Sequence, residues 1–353
     1  MRIGVYNIAL NEEQFAERWA KSAVDADVRL IADTGSTDNT KQVLLDNGVE
    51  VHDISVRPWR FDRARDASVV LLPKDLDVII ALDMDEVLRP GWRDALERAW
   101  TPETTRFRYP YIWSWTADGR PDKTYYGDKI TGRHSHRWCH PVHEIMQPVV
   151  PEVVTFCHDL HIEHYPDLTK SRGQYYPLLE LSVKEDPEDD RNAHYLGREY
   201  FFIGEYEKAI AELNRHLALP RALWDQERGF SLSYISKSYK ALDDQHNAIR
   251  YALRAVAEVP TSRELWHDLG LLYMGYQDWH GVVYAAQQCL NIVFRDNTSY
   301  LNDRCAWGEG PYDLLGIGHF YLGNKEEAKK NFLQALQLAP NDERIQANLA
   351  FCD

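Results

Sequence analysis

The chain has 353 residues, 44% of them hydrophobic and 27% charged, so it is longer than one core ordinarily organises and two folded domains are expected. A formal net charge of −15 disfavours non-specific binding to nucleic acid or to an anionic membrane by the chain as a whole. It has no apolar run long enough to span a bilayer, and its five scattered cysteines (Cys139, Cys157, Cys289, Cys305 and Cys352) contain no C-x-x-C pair, which argues against a disulfide framework or a structural zinc site.

Arg2 to Ile8, Val28 to Asp33 and Val49 to Ile54 are β-branched or apolar runs, separated by amphipathic stretches at Glu12 to Val24 and Asp38 to Asn47. That pattern predicts a β-α-β-α-β beginning. The first strand follows directly on Met1 instead of on a signal peptide, which favours a cytoplasmic location. Val78 to Leu82 is apolar without alternation, as expected of a strand buried on both faces of a mainly parallel sheet. Ligands of such sheets bind beyond the carboxyl ends of the strands, so the residues that follow each strand are the candidates for chemistry.

Two motifs stand at those ends. Asp33-Thr34-Gly35-Ser36-Thr37-Asp38 follows the second strand: Gly35 permits a tight turn, and Ser36 or Thr37 is expected to cap the next helix, whose free amides favour an anionic or polar ligand. Asp83-Met84-Asp85-Glu86 follows the buried strand. Its carboxylates repel one another unless a cation lies among them, and a hard divalent ion bridging to phosphate oxygens resolves the conflict.

Two later segments are candidates for a binding surface. Residues 106–115 are dense in aromatics and residues 133–138 in cations; aromatic faces stack on sugars or bases and cations meet phosphates. Ordinary strand packing with a solvated cationic edge is the competing reading.

From about Glu188 the texture turns helical and repetitive. Tyr195-Leu196-Gly197 with Ala209 and Leu213, Ile235-Ser236 with Ala248 and Ala255, Leu269-Gly270 with Val282 and Ala286, and Leu314-Leu315-Gly316 with Ala328, Phe332 and Ala335 repeat one theme. Small residues where paired helices touch, recurring at about 34 residues, match the tetratricopeptide pattern. The repeats are expected to start near Asp190, Gly229, Arg263 and Glu309, with an insertion around Asn291 to Gly308. Stacked repeats of this kind recognise another macromolecule, buttress a neighbouring domain or dimerise.

Taken in order, Asn7-x3-Asn11-Glu12, the Asp33 to Asp38 motif, Phe61-x3-Arg65-Asp66, Leu82-Asp83-Met84-Asp85-Glu86, Val142-His143-Glu144 and His161-Ile162-Glu163-His164-Tyr165 resemble family 2 glycosyltransferases, specifically the subgroup whose catalytic domain is followed by tetratricopeptide repeats. The resemblance implies an α/β nucleotide-binding GT-A (Rossmann-like) domain over residues 1–170 followed by an all-α tetratricopeptide-repeat domain over 171–353. It implies an inverting transfer of sugar from a nucleotide-sugar donor, UDP-sugar first, with Mn2+ or Mg2+. By the same resemblance Asp33, with Gly35 and Ser36 in its turn and Asn7 beside it, holds the nucleobase; Asp83 the ribose and metal region; Asp85 the metal; and Arg65 faces the base or diphosphate. His164 is the histidine that closes the metal site, with His161 and His158 as competitors. The chain departs from the subgroup at Asp66, where asparagine is usual, and at Met84, where a small residue is usual.

Glu144 is the candidate general base, because inverting transfer needs a carboxylate to take the acceptor's proton. Glu163 and Asp128 are the runners-up, and an orienting role for Glu144 toward His143 or His164 is the alternative. The acceptor is left open among a protein side chain, a glycan and a modified nucleic-acid base, held by the repeats or by the segments 106–115 and 133–138. A non-catalytic repeat scaffold with a degenerate first domain is the competing function.

Overall fold

A computed structural model of the chain describes residues 1–167, 175–294 and 300–352. It divides into two compact units, Met1–Ser182 and Val183–Asp353. The boundary expected between residues 170 and 171 lies outside the described residues.

The first unit begins as the hydrophobic pattern requires. Strand β1 (Ile3–Ala9), helix α1 (Glu13–Ser22), β2 (Val28–Asp33), α2 (Thr40–Asp46), β3 (Glu50–Asp53), α3 (Phe61–Leu71) and β4 (Val78–Ala81) follow in order. β1 pairs in parallel with β2 on one side and with β4 on the other, and β2 pairs in parallel with β3. Because β1 lies between them, the strand order 3-2-1-4 opens a crevice at the carboxyl ends of β1 and β4. Trp19 of α1 is fully buried, and its indole Nε1 donates to the Leu82 carbonyl at 2.8 Å, tying the helix to the end of β4.

Beyond β4 the sheet becomes mixed, which the all-apolar strand did not announce. Next come β5 (Glu86–Leu88), α4 (Trp92–Ala99), β6 (Arg106–Ile112), β7 (Lys123–Gly132), β8 (His136–Cys139), β9 (Ile145–Pro148), β10 (Val154–Phe156) and β11 (Ile162–His164). β7 runs antiparallel to both β4 and β6, and the sheet order continues β4-β7-β6-β11-β5. β8 and β9 form a separate antiparallel pair. Helix α5 (Tyr175–Glu185) follows.

One local expectation is corrected. Helix α2 begins at Thr40, not Asp38, and neither Ser36 nor Thr37 caps it. Instead Asp38 Oδ1 accepts from the Thr40 amide at 3.0 Å, while Ser36 Oγ accepts from the Asn11 amide at 2.9 Å and Asn11 Oδ1 accepts from the Thr37 amide at 2.8 Å. The two loops after β1 and β2 satisfy each other, so the segment after Asp33 stays non-helical for several residues before the helix starts.

The second unit is helical: α6 (Asp190–Phe202), α7 (Tyr206–Ala218), α8 (Asp225–Ala241), α9 (Gln245–Glu258), α10 (Arg263–Gly275), α11 (Trp279–Asn291), the short α12 (Arg304–Trp307), α13 (Gly310–Tyr321), α14 (Lys325–Leu338) and α15 (Glu343–Ala350). Side chains of Asp189, Asp244, Ser262 and Asp278 accept from amides in the first turns of α6, α9, α10 and α11, which fixes those starts. The second pair begins at Asp225 instead of near Gly229. Glycines stand where paired helices approach most closely: a Cβ on Gly197 would lie 2.5 Å from Leu213 Cγ, and one on Gly316 would lie 2.5 Å from the Phe332 ring. Among the described residues no helix is long and apolar enough to cross a membrane.

Gly316→Ala should therefore destabilise the helical unit by about 1–3 kcal/mol through overpacking against Phe332. Urea unfolding followed by far-ultraviolet circular dichroism measures this; an unchanged midpoint would mean that α13 and α14 can separate without loss.

Candidate functional site

The crevice at the strand ends is organised around Arg65, which α3 delivers from its first two turns. Its guanidinium is buried and donates in three directions: Nη1 to Asn7 Oδ1 of β1 at 2.7 Å, Nη2 to Asp83 Oδ1 at 2.7 Å, and Nε to Glu144. Its cationic carbon lies 4.8 Å from the centre of the Trp138 ring. Burial works against the charge, yet Asp83 and Glu144 outweigh it and raise the Arg65 pKa. Trp138 is itself fixed by donating its indole N–H to the buried Tyr6 hydroxyl at 2.8 Å.

A second cation arrives from β7. Lys129 Nζ donates to Asp83 Oδ2 at 2.5 Å and to Glu86 Oε1 at 2.8 Å. Glu86 Oε1 also accepts from the Tyr111 hydroxyl at 2.8 Å, and Glu86 Oε2 accepts from the Asp83 amide at 2.8 Å. Burial disfavours the Asp83 carboxylate, but Arg65 and Lys129 overcome this and hold its pKa far below the ordinary range. Glu86 moves the other way, raised by burial and by the charge of Asp83 despite Lys129. Both oxygens of Asp83 are thus engaged by cations of the protein.

Asp85 is placed differently. Its Oδ2 lies 3.2 Å from His164 Nε2, and His164 Nδ1 lies 2.9 Å from the Trp113 carbonyl. The Trp113 ring stacks on the imidazole with centroids 4.6 Å apart. Burial lowers the His164 pKa, but the hydrogen bond and charge of Asp85 win and leave it raised. The other two histidines lie elsewhere: His158 Nδ1 pairs with the Tyr126 hydroxyl at 2.9 Å, and His161 Nδ1 lies 3.3 Å from the Asp159 carbonyl.

Asp33 ends β2 and is fully buried. Its Oδ1 accepts from the Gly35 and Ser36 amides at 2.9 and 2.8 Å. Its Oδ2 is buried and has no hydrogen-bond partner among the described residues. Leaving such an acceptor unmatched costs on the order of 1–3 kcal/mol, so the turn holds a carboxylate oxygen in wait for a donor. Gly35 has φ +117°, which L side chains rarely adopt, and a Cβ there would meet nothing within 4 Å; the turn demands glycine for its backbone, not for space.

The remaining candidates divide by strand alternation. Asp128 stands beside Lys129 on β7 but faces the other way, pairing with Arg106 Nη1 at 2.9 Å, as consecutive strand residues must. Glu163 precedes His164 on β11 and accepts from Arg89 and from the Tyr165 hydroxyl, the latter at 2.8 Å. Glu144 is the carboxylate of these three that joins the Arg65 cluster. Asp66 accepts from the Trp138 amide at 3.0 Å, an acceptor role that an asparagine carbonyl would also fill, and Met84 is buried in the core.

The two acceptor segments are largely structural. Phe107, Tyr109 and Tyr111 are buried core residues, leaving Trp113 and Trp115 to present aromatic surface near His164 and Tyr165, where Trp115 stacks on Tyr165 at 5.5 Å. In the cationic segment Arg133 donates to the carbonyls of Val69, Leu72 and Pro73 at the end of α3, and His136 bonds Ser135 and Glu152. Those side chains serve the fold instead of an exposed cationic edge.

Lys129 escaped the sequence reading. Its one trace was a lysine set between Asp128 and the apolar Ile130 in a strand pattern, and nothing local reveals that its partners are 46 and 43 positions away.

Arg65→Met should leave Glu144 and Asp83 under-compensated in a buried setting and cost about 3–5 kcal/mol. Denaturant unfolding read by tryptophan fluorescence tests this, and wild-type stability would show that Lys129 alone neutralises the cluster.

The tetratricopeptide repeat family model matches residues 311–342, and the helical second unit is a tetratricopeptide region. No curated protein matches the chain. Solved structures similar to it include that of MamA, with 20% identity over 51% of this chain and 99% of that chain and a TM-score of 0.40. YrrB, described as a TPR protein with an unusual peptide-binding site, has 14% identity over 50% of this chain and 81% of its own, with a TM-score of 0.38. A thermophilic TPR protein of Thermus thermophilus has 18% identity over 51% and 91%, with a TM-score of 0.36.

Proposed function

We propose that the first unit is a GT-A glycosyltransferase domain that moves a sugar from a UDP-sugar to a macromolecular acceptor with inversion. The observation that carries this reading is the buried Oδ2 of Asp33 at the end of β2, which has no hydrogen-bond partner among the described residues, together with the Asp85–His164 pair beyond the end of β4. A uracil offers the N–H donor that Asp33 Oδ2 lacks among the described residues.

A divalent ion fits the second feature. Among the described residues no group of three or more His, Cys, Asp or Glu side chains is placed to hold a metal, so the protein supplies few donors. Mg2+ and Mn2+ sites of nucleotide enzymes are of that kind, one or two protein donors completed by substrate phosphates and water. Asp85 and His164 Nε2 would hold the ion; when bound it supplies positive charge to the departing diphosphate. The Trp113 carbonyl at His164 Nδ1 fixes the ring so that Nε2 faces Asp85, the second-shell arrangement usual for a histidine ligand.

The other residues act directly. Asp83, pinned by Arg65 and Lys129, presents a fixed carboxylate edge at the crevice floor. Asn7 holds Arg65 from β1. Glu144 takes the acceptor's proton, with Arg65 fixing the orientation of its carboxylate. The acceptor belongs to one of three classes: a protein side chain, a glycan or a modified nucleic-acid base. The match to tetratricopeptide repeats at 311–342 favours, as a second reading, a scaffold whose first unit does not turn over sugar.

UDP-sugar hydrolysis or transfer with Mn2+, with and without chelator, decides between the two: metal-dependent turnover supports the enzyme, and no turnover across a panel of nucleotide-sugars and acceptors supports the scaffold. Asp33→Ala should weaken UDP binding about tenfold or more even without metal, one charge-assisted hydrogen bond at about 1.5–3 kcal/mol, whereas Asp85→Ala should remove the metal-dependent part alone. Calorimetric titration separates these, and UDP affinity insensitive to both changes would sink the site. Glu144→Gln should leave UDP affinity near normal and lower transfer by about 10² or more. Joint loss of binding and transfer would reassign Glu144 to holding Arg65.

A further inference from the structure

The insertion between α11 and α13 returns across the helical unit, and its path is specific. Trp307 donates its indole N–H to Glu264 Oε1 of α10 at 2.8 Å and lies under the Arg263 guanidinium, 4.4 Å from the ring centre. The Asp303 amide donates to the same Glu264 oxygen at 3.1 Å. Leu301 packs in the apolar cluster of Phe230 and Leu265. Tyr300 then reaches α8 and α6: its ring stacks on Phe230 at 4.6 Å and 26°, and its hydroxyl meets His194 and Arg198. Each of these contacts is made by the first helix of a repeat pair. Three residues of extended chain cover about 10 Å, one helix-to-helix spacing, so the segment from Asp303 to Tyr300 passes from α10 to α8 and the Tyr300 side chain reaches on to α6.

The far end of this path is a chemically selective socket. Arg198 Nη1 donates to the Tyr300 oxygen at 2.7 Å, and His194 Nε2 lies 2.9 Å from the same oxygen. His194 is fully buried, and burial pushes its pKa down to about 3, so the ring is neutral and carries one proton. Arg198 and His194 thus meet on the one phenol oxygen, and the other ring nitrogen of His194, Nδ1, lies 2.7 Å from Ser231 Oγ. Ser231 Oγ in turn lies 2.9 Å from His216 Nδ1, and His216 Nε2 faces Glu227 at 3.5 Å. Hydrogen-bonding atoms therefore run without a gap from Arg198 through the phenol, His194 and Ser231 to His216, with the Glu227 carboxylate facing the far side of that ring. A side chain with a ring but no hydroxyl would leave both Arg198 and His194 facing an empty position.

We propose that this groove is a binding surface for an extended peptide anchored by a tyrosine, and that Tyr300 to Trp307 is the chain's own occupant of it. The partner is an extended segment presenting a phenol to Arg198 and His194, and it binds by displacing Tyr300. The surface commits to tyrosine because Arg198 and His194 converge on a single oxygen at the end of a ring stacked on Phe230, a combination that phenylalanine, leucine and charged side chains do not match. This inference does not depend on sugar transfer by the first unit.

The test is fluorescence anisotropy with a labelled, acetylated peptide of residues 300–307 under reducing conditions, added to the full chain and to its Tyr300→Ala variant. The peptide should bind the variant at least tenfold more tightly than the wild type, and the same peptide with phenylalanine in first position should lose most of that affinity. Equal affinity for the two proteins, including no binding to either, or equal binding of the tyrosine and phenylalanine peptides, overturns the proposal. Circular dichroism establishes that the variant is folded. Where Tyr300→Ala does not fold, Tyr300→Phe carries the same comparison, because it keeps the ring on Phe230 and removes only the hydroxyl: tighter binding of the tyrosine peptide than in the wild type supports displacement, and unchanged binding refutes it.

Discussion

The buried guanidinium of Arg65 is the constraint from which the strand-end crevice takes its shape. A planar fork with fixed donor directions satisfies three acceptors only if all three stand where its geometry puts them, and here they come from distant parts of the chain: Asn7 on β1, Asp83 after β4 and Glu144 before β9. The face of Trp138 closes the remaining side. A flexible ammonium in the same place would tolerate drift among these elements; the guanidinium does not. Lys129 then takes the other Asp83 oxygen, and the pair of cations leaves Asp83 immobile. Asp83 and Asp85 are thereby set apart: Asp83 is held at both oxygens by cations of the protein, whereas Asp85 meets a histidine ring instead of a buried cation.

That division was half legible in the sequence. The apolar run ending at Leu82 placed the acidic motif at a strand end, and the turn at Asp33 was readable from its glycine and hydroxyl residues, because strand period and turn chemistry are local properties. The helix start was misplaced because the loops after β1 and β2 bond to each other through Asn11, Ser36 and Thr37, a tertiary exchange that outbids local capping. The roles of Arg65, Lys129 and Trp138 were hidden for a like reason: their partners are dozens of positions away. Likewise the dense aromatics of 106–115 divided by alternation, Phe107, Tyr109 and Tyr111 into the core, which a count of rings over a segment cannot reveal.

The helical unit was more legible because its rule is steric and repeated. Gly197 and Gly316 are small because Leu213 and the Phe332 ring occupy the space their side chains would take, and the same position in each pair carries the same demand. What the period could not foretell was the insertion's destination. Its residues show no repeat pattern, and the socket for Tyr300 is assembled from α6, α7 and α8, with Ser231 bridging two histidines that lie on different helices.

Both units keep buried polar atoms without a hydrogen-bond partner among the described residues, Asp33 Oδ2 in the first and His216 Nε2 in the second. In the helical unit a neutral His194 and a buried Ser231 sit deep among helices, where an unmatched group is costly, and the Tyr300 hydroxyl and Ser231 match both nitrogens of the His194 ring. At the strand ends charged groups are compensated up to a point and then left open: Asp83 is matched at both oxygens, but Asp33 keeps one buried oxygen without a donor. Folding alone gives no reason to retain that oxygen, since an asparagine or serine could hold the turn with less desolvation. The unmatched Asp33 oxygen is the feature on which the proposed nucleotide ligand rests, whereas the network around Tyr300 is the larger.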